Sequence, residues 1–305
     1  MRIAIPQINY KAGDITANTA KIIEAVRKAQ NEKAELIIFP ELAICGALPQ
    51  DWLEREDFIN DCRLAIEKIA IECTTTAAII GGPNLDATNG IMYNSAYFIQ
   101  NGEVVDGVHK NILSDYDIFN ESRYFIAGED NTSIRYKNQN IRIIFDEYES
   151  EFIDKNDSFV ILLGMTPFTV ESKAERHHVL STLAQKHGKN VIAVNHFGGY
   201  TSVLFDGNSA AYNYKGKLVA QLKEFNEDFL IIDTNKLGSA TFIPFHREEK
   251  IALIHKALCF GIKDYFEKHG FKKAILGLSG GIDSAVVAAL AAEALSAENV
   301  MGLLM

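Results

Sequence analysis

The chain has 305 residues, 48% hydrophobic and 23% charged, and carries a formal net charge of −10 at pH 7. That length supports one large domain or two modest ones of ordinary globular composition. The acidic balance argues against a general binder of nucleic acid or of anionic membranes, which needs a basic surface, but leaves room for a local site that takes a small anion.

Strands and helices alternate from the N-terminus. RIAIPQIN (2–9) reads as a strand, and DITANTAKIIEAVRKAQNEKA (14–34) as an amphipathic helix with Ile22, Ala25, Val26 and Ala29 on one face. ELIIFPE (35–41) is a short buried strand ending at a carboxylate, 55–75 a second helix, and AAIIGGP (77–83) a third strand. YNSAYFIQNGEVVDGVHK (93–110) reads as a hairpin turned by Asn-Gly. The middle repeats the order: IRIIFDE (141–147) is a strand followed by a helix, SFVILLGMTPF (158–168) a strand, and AERHHVLSTLAQKHGK (174–189) a helix with a polar face. NVIAVNHFGGY (190–200), SAAYNYKGKLVAQL (209–222) and DFLIIDT (228–234) close the block as strands. Two sheets covered by helices, an α-β-β-α sandwich, fit this rhythm.

The pattern breaks at 235–247, the expected boundary. Residues 248–270 then read as one long helix capped by Gly270, KKAILGLS (272–279) as a strand, DSAVVAALAAEAL (283–295) as a helix and NVMGLLM (299–305) as a second strand, the start of a βαβ unit. The division is therefore 1–237, a linker 238–247, and 248–305.

Other chemistry is sparse. The opening residues lack the apolar core and cleavage pattern of a secretory signal, and no apolar run reaches the ~18 residues of a spanning helix. Cysteines 45, 62, 73 and 259 form no C-x-x-C pair, so zinc and redox motifs are not read and a reduced, cytoplasmic setting is expected. The eight histidines show no metal spacing, and His177 and His178 are read as solvated side chains on a polar helix face. Cys62, Cys73 and Cys259 are read as small apolar groups packed on helices. Asn94 is read as satisfying backbone groups beside a turn.

The stretch Gly277, Leu278, Ser279, Gly280, Gly281, Ile282, Asp283, Ser284 runs from strand to helix and suits anion binding. Two glycines allow a tight turn with N–H groups close to phosphate, and the helix presents its positive end. Ser279 and Ser284 add hydroxyl donors. Asp283 repels phosphate but would suit Mg²⁺ that bridges to it. The Walker A lysine is missing.

LGLSGGIDSA resembles the pyrophosphatase-type phosphate loop of ATP-dependent amidating enzymes, and residues 257–295 resemble the opening of the synthetase domain of the glutamine-dependent NAD synthetases. The resemblance implies a Rossmann-like ATP-pyrophosphatase domain. ATP would adenylate the carboxylate of nicotinic acid adenine dinucleotide, and ammonia would displace AMP to leave the amide of NAD. ATP and Mg²⁺ are the implied cofactors, with Asp283 at the metal.

The same family carries a nitrilase-like glutaminase in front, with a Glu base, a Lys that stabilises the oxyanion and a Cys nucleophile. The resemblance extends from Met1 to about Thr234. FPELAICGALPQDWL gives Glu41, and VHKNILSDYDIFNESRYF gives Lys110, with Tyr116 and Glu121 nearby. The nucleophile segment departs from the family pattern: members read approximately I-C-E-D where this chain reads IFDE, so Phe145 holds the nucleophile position. The serine-rich S-A-S-P-F segment is replaced by GMTPF (164–168). Removing a nucleophile costs on the order of a millionfold in a well-studied hydrolase, so a dead glutaminase is expected. Cys45, four residues after Glu41, is the one candidate for a substitute thiol, in a place where the resemblance implies packing. Glu41 and Lys110 are expected to remain as an ion pair, with Phe145 between them.

Three readings follow: a NAD synthetase that uses free ammonia or ammonia from a partner; a noncatalytic nitrilase-like module that assembles the enzyme as a homo-oligomer or binds a small carboxamide; and a conventional glutamine-hydrolysing synthetase. A remoter option is another amidating enzyme with the same loop, acting on a purine nucleotide or aspartate. Only 21 residues follow Ser284. The chain is therefore expected to be a partial product that makes no NAD alone, with a weakly stabilised segment after residue 247.

Overall fold

In the computed structural model, which describes residues 1–129, 132–200 and 202–305, two six-stranded sheets face each other. The first contains β1 (Arg2–Gln7), β2 (Leu36–Ile38), β3 (Ala77–Asp86), β4 (Ile91–Gln100), β5 (Glu103–His109) and the distant β14 (Asp228–Asp233), in the order β14-β1-β2-β3-β4-β5. The second contains β6 (Ile134–Tyr136), β7 (Gln139–Ile144), β8 (Phe159–Leu163), β9 (Asn190–Val194), β12 (Ala210–Tyr212) and β13 (Leu218–Gln221), in the order β13-β12-β9-β8-β7-β6. Strands β1, β2 and β3 run parallel, as do β7, β8 and β9.

The parallel strands are buried on both faces, which is why they read as near-continuous apolar runs. Ile3, Ile5, Leu36, Ile38 and Ile79 meet Ile141, Ile143, Phe159 and Ile161 between the sheets. The alternate residues Ala4, Ile37, Ala78 and Ile80 face the opposite way, onto α1 (Ile15–Asn31) and α2 (Glu56–Glu72). Asp14 caps α1 by accepting the Ala17 N–H at 3.1 Å. On the other side, α3 (Ser172–His187) lays Leu180, Leu183 and Ala184 on Val160, Leu162 and Val191. The α-β-β-α sandwich is thus present.

Several local expectations change. The segment after IRIIFDE is a 3-10 helix, Glu147–Phe152, not an α-helix; its few residues offer too few bonds to offset α-helix nucleation. NVIAVNHFGGY is two strands: β9 ends at Val194, and β10 (Phe197–Tyr200) pairs with β11 (Val203–Asp206) in a separate ribbon. Between them, buried Asn195 and His196 turn to polar partners. SAAYNYKGKLVAQL is likewise a hairpin of β12 and β13, and β6 joins β7 through Lys137 and Asn138, both at positive φ. His177 is not simply solvated: its Nδ1 lies 2.9 Å from the Tyr212 hydroxyl, and Phe245 stacks on its ring at 4.3 Å. His178 is exposed.

Residues 241–249 have no regular structure, yet Ile243 donates its N–H to Leu218 O at 2.7 Å. Next comes α4 (Lys250–His269), closed by Gly270 at φ 71°. Its Leu253 and Ala257 pack with Phe197 and Phe225. Asp264, 2% exposed, accepts hydrogen bonds from the Asn9 amide and from Gly199 N at 2.7 Å, and pairs with Lys268 at 3.0 Å. Strand β15 (Ala274–Leu278), α5 (Ile282–Leu295) and the parallel strand β16 (Val300–Leu304) follow. Ile275, Ile282, Met301 and Leu304 are exposed there. Among the described residues no helix is long and apolar enough to cross a membrane.

One glycine sets the close approach of β3 to the turn after β2. A Cβ on Gly81 would lie 2.4 Å from both Leu42 N and Pro40 O, backbone atoms that cannot swing aside. We expect Gly81→Ala to lower the unfolding free energy by about 3 kcal/mol, as overpacking does. Urea denaturation checks this, and a loss no larger than that of an ordinary surface change would contradict it.

Candidate active site

The turn that follows β2 carries Glu41 into the interior, where it is 1% exposed. Two contacts fix its backbone besides Gly81. Phe39 donates its N–H to Ile79 O at 2.9 Å, and fully buried His196 bonds through Nε2 to the Glu41 carbonyl. Burial drives the His196 pKa down to about 4, with the carbonyl bond opposing. The ring is therefore neutral near pH 7, and its Nε2–H is the donor.

Lys110 sits at the end of β5, 2% exposed, and donates its backbone N–H to Asn94 O at 2.8 Å. Its ammonium reaches Glu41 Oε1 at 2.8 Å, Glu121 Oε2 at 2.7 Å and Ser114 Oγ at 3.2 Å. All three N–H donors thus have an acceptor. Asn94, fully buried on β4, bridges the carboxylates from the other side, its Nδ2 donating to Glu41 Oε1 at 2.6 Å and Glu121 Oε1 at 2.8 Å. Asn94 therefore serves the charged cluster, not a turn. The expected Glu41 and Lys110 pair is in direct contact, so Phe145 does not separate them. Tyr116, from the same stretch, is largely exposed.

Two carboxylates share one ammonium away from water. Burial raises the Glu41 pKa to about 8; Lys110 pulls it down and Glu121 pushes it up. Burial by itself lowers the Lys110 pKa, but Glu41 and Glu121 together outweigh that and raise it. Near neutral pH the cluster keeps its ammonium, and the acid pair holds on to a proton above the usual carboxylate range.

Phe145 follows β7 and packs into the inter-sheet core, 3% exposed. Its N–H donates to Glu149 Oε2 at 2.8 Å, while Glu149 Oε1 accepts from Asn111 N at 2.7 Å and Ile112 N at 3.0 Å. One buried carboxylate thus ties the loop after Lys110 to the end of β7. A cavity of ≈370 Å³ adjoins the cluster, lined in part by Leu42, Phe119, Glu121, Tyr124 and Met165. Met165 belongs to the GMTPF segment.

The described thiols lie elsewhere. Cys45, Cys62 and Cys73 are buried in the layer between the first sheet and its helices. Burial, then neighbouring Cys62, holds the Cys45 thiol well above its usual pKa, and burial raises Cys73 to about 12. Cys259 lies on α4.

The glycine loop is open. Gly277 and Leu278 are residues of β15, and Ser279, Gly280 and Gly281 make the turn, Gly280 at φ 80° with open space around a built Cβ. Helix α5 starts without a side-chain cap, so its first N–H groups are unclaimed by a capping side chain. Ser284 Oγ donates to Gly281 O at 2.9 Å and lies 3.3 Å from Ser279 Oγ. Exposed Ile282 and Asp283 occupy the first turn.

The carbon-nitrogen hydrolase family matches residues 2–241, and the NAD synthase family matches 254–305. The glutamine-dependent NAD(+) synthetase of Synechocystis sp. is 34% identical over 99% of this chain and 59% of its own length. The Xanthomonas campestris enzyme of that name is 32% identical over 98% of this chain and 56% of its own. The chain thus spans less than two thirds of these relatives. A solved glutamine-dependent NAD+ synthetase from Acinetobacter baumannii, in complex with ADP, superposes with a TM-score of 0.92 at 31% identity, covering 100% of this chain and 59% of that one. A mutant of the amidase from Nesterenkonia sp. AN1, with the acetamide moiety of fluoroacetamide added covalently at its active site cysteine, shares the fold at a TM-score of 0.67 and 19% identity, covering 76% of this chain and 89% of that one.

The cluster makes two tests. Glu41 binds its proton more tightly folded, at about 8, than unfolded, near ~4.3. Its contribution to stability is therefore full below ~4.3 and lost as pH rises toward 8. Urea denaturation across this window should show Glu41→Gln with a flatter pH dependence than the parent; equal slopes would contradict the assignment. Lys110→Met removes the ammonium that compensates this buried acid pair and leaves its acceptors without a donor, so we expect a loss of about 3–5 kcal/mol at pH 7. A loss no larger than that of an ordinary surface change would contradict this.

Proposed function

Because the chain belongs to the carbon-nitrogen hydrolase family, we propose that residues 1–237 form a glutaminase-type unit that has lost its nucleophile, joined by 238–247 to the start of a NAD synthetase unit at 248–305. The observation that carries this reading is the placement of a phenyl side chain at 145, where the glutaminase pattern has its cysteine. A phenyl ring has no lone pair with which to attack an amide carbon. Support comes from Cys45, Cys62 and Cys73, which pack on the helix side of the first sheet. Lys110, whose donors are taken by Glu41, Glu121 and Ser114, acts here as the centre of a structural ion cluster. Without a thiol to deprotonate, Glu41 has no base to be.

The synthetase unit, on this reading, belongs to a protein that adenylates the carboxylate of nicotinic acid adenine dinucleotide with ATP, releasing pyrophosphate. Ammonia, free or delivered by a partner, then attacks the adenylate, forms the amide of NAD and expels AMP. The loop residues fit a bound nucleotide: Gly280 leaves space for phosphate, α5 offers N–H groups at its positive end, and Ser279 and Ser284 add hydroxyls. Asp283 is exposed and close enough in sequence to hold Mg²⁺ beside those phosphates. The metal would neutralise charge on the phosphate oxygens.

A conventional glutamine-hydrolysing enzyme is the second reading. It is favoured by the intact Glu41–Lys110 contact and by relatives whose names carry "glutamine-dependent".

Glutamine hydrolysis by the 305-residue chain decides between them. We expect ammonia release at the uncatalysed background and no covalent labelling by a diazoketone analogue of glutamine. Phe145→Cys should add a thiol that the analogue labels. Glutamine turnover by the unaltered chain, with one native cysteine labelled, would sink the first reading and establish the second.

A further inference from the structure

Helices α4 and α5 pack against each other, and a three-residue group lies where they meet. His255 and Cys259, one turn apart on α4, face Glu293 of α5. His255 Nε2 lies 3.1 Å from Glu293 Oε2 and 3.8 Å from Cys259 Sγ, and the three ligand atoms lie within 4.8 Å of one another. We propose that His255, Cys259 and Glu293 form a site for a divalent transition metal of the Zn²⁺ class, with the fourth position open to water.

Geometry and chemistry agree on the class of ion. Zinc bonds of about 2.0–2.3 Å at tetrahedral angles put nitrogen and oxygen ligands about 3.4 Å apart, and nitrogen and sulfur ligands about 3.6 Å apart. The observed separations, 3.1 and 3.8 Å, need only a small side-chain adjustment to match. One imidazole, one thiolate and one carboxylate suit Zn²⁺ or Co²⁺; Mg²⁺ and Ca²⁺ prefer all-oxygen sets. Binding displaces the thiol proton, so it strengthens as pH rises. The site is separate from the glycine loop and independent of the glutaminase reading.

The position gives the metal a mechanical consequence. Helix α4 is pinned to the front unit through Asp264 and through Lys256, which pairs with Glu224 at 2.7 Å. Helix α5 begins at the glycine loop. A metal held by both helices staples the loop-bearing unit to the helix docked on the front unit. The sequence shows no such site because Glu293 lies 34 positions after Cys259 and neither belongs to a C-x-x-C pair.

The test uses the 305-residue chain. Zn²⁺ is titrated in competition with a chromophoric chelator, and Co²⁺ is followed by absorbance. We expect one equivalent bound, a near-ultraviolet thiolate-to-cobalt band, and protection of Cys259 from alkylation by Zn²⁺. Cys259→Ser should abolish the band, and His255→Ala and Glu293→Gln should each weaken binding about tenfold or more. Circular dichroism verifies that each variant is folded; should one not be, protection of Cys259 in the parent chain decides. Absence of saturable Zn²⁺ binding, a cobalt band that survives Cys259→Ser, parental affinity in the other two variants, or alkylation of Cys259 unaffected by Zn²⁺ would each overturn the proposal.

Discussion

One ammonium held between two carboxylates, all three out of water, is the constraint around which the front unit is arranged. Removing such charges from solvent costs several kcal/mol each, and only close geometry with fully used hydrogen bonds offsets it. Lys110 meets that demand by committing every N–H, and Asn94 does so by bridging Glu41 and Glu121. The four residues come from the turn after β2, from β4, from the end of β5 and from the 3-10 turn Glu121–Arg123. None of these elements can slide against another without leaving a buried charge uncompensated.

Glu149 adds a second constraint of a different kind. It collects three backbone N–H groups, two from the loop after Lys110 at the edge of the first sheet and one from Phe145 at the end of β7 in the second. Burial raises the Glu149 pKa, and the bonds from Phe145, Ile112 and Asn111 oppose that rise. Since those donors are main-chain groups, the tie is indifferent to the side chain at 145. On the function proposed here, the frame around position 145 therefore persists without a thiol.

Local periodicity made most of the elements legible in the sequence. So did punctuation by Gly270 and by the Asn101–Gly102 turn, which take positive φ. Glu41 and Lys110 were legible as a pair because each sits in a recognisable stretch. Glu121 was legible beside Lys110 as well, but the roles of Asn94 and His196 were not. Asn94 reaches Glu121 across 27 positions and His196 reaches the Glu41 carbonyl across 155, and no periodicity encodes such distant partners. His177 looked solvated because the ring that covers it, Phe245, comes from an irregular segment. NVIAVNHFGGY looked like one strand because buried polar residues do not interrupt an apolar run until their partners are known.

The ribbon strand β10 shows how the two ends of the chain bear on each other. His196, immediately before it, holds the Glu41 carbonyl; Gly199, within it, donates its N–H to Asp264 of α4. A Cβ on Gly199 would come within 2.9 Å of the Asp264 carboxylate, so the approach depends on a bare backbone. Asp264 is almost wholly buried and relies on Gly199, Asn9 and Lys268 for compensation. A shift of α4 that preserves those bonds must carry β10 with it, and so press on His196 and the backbone of Glu41. A shift that leaves β10 in place must strand a buried carboxylate, at a cost of several kcal/mol. The helix leading to the glycine loop and the turn bearing the buried acid are therefore coupled to each other through β10 and the histidine before it.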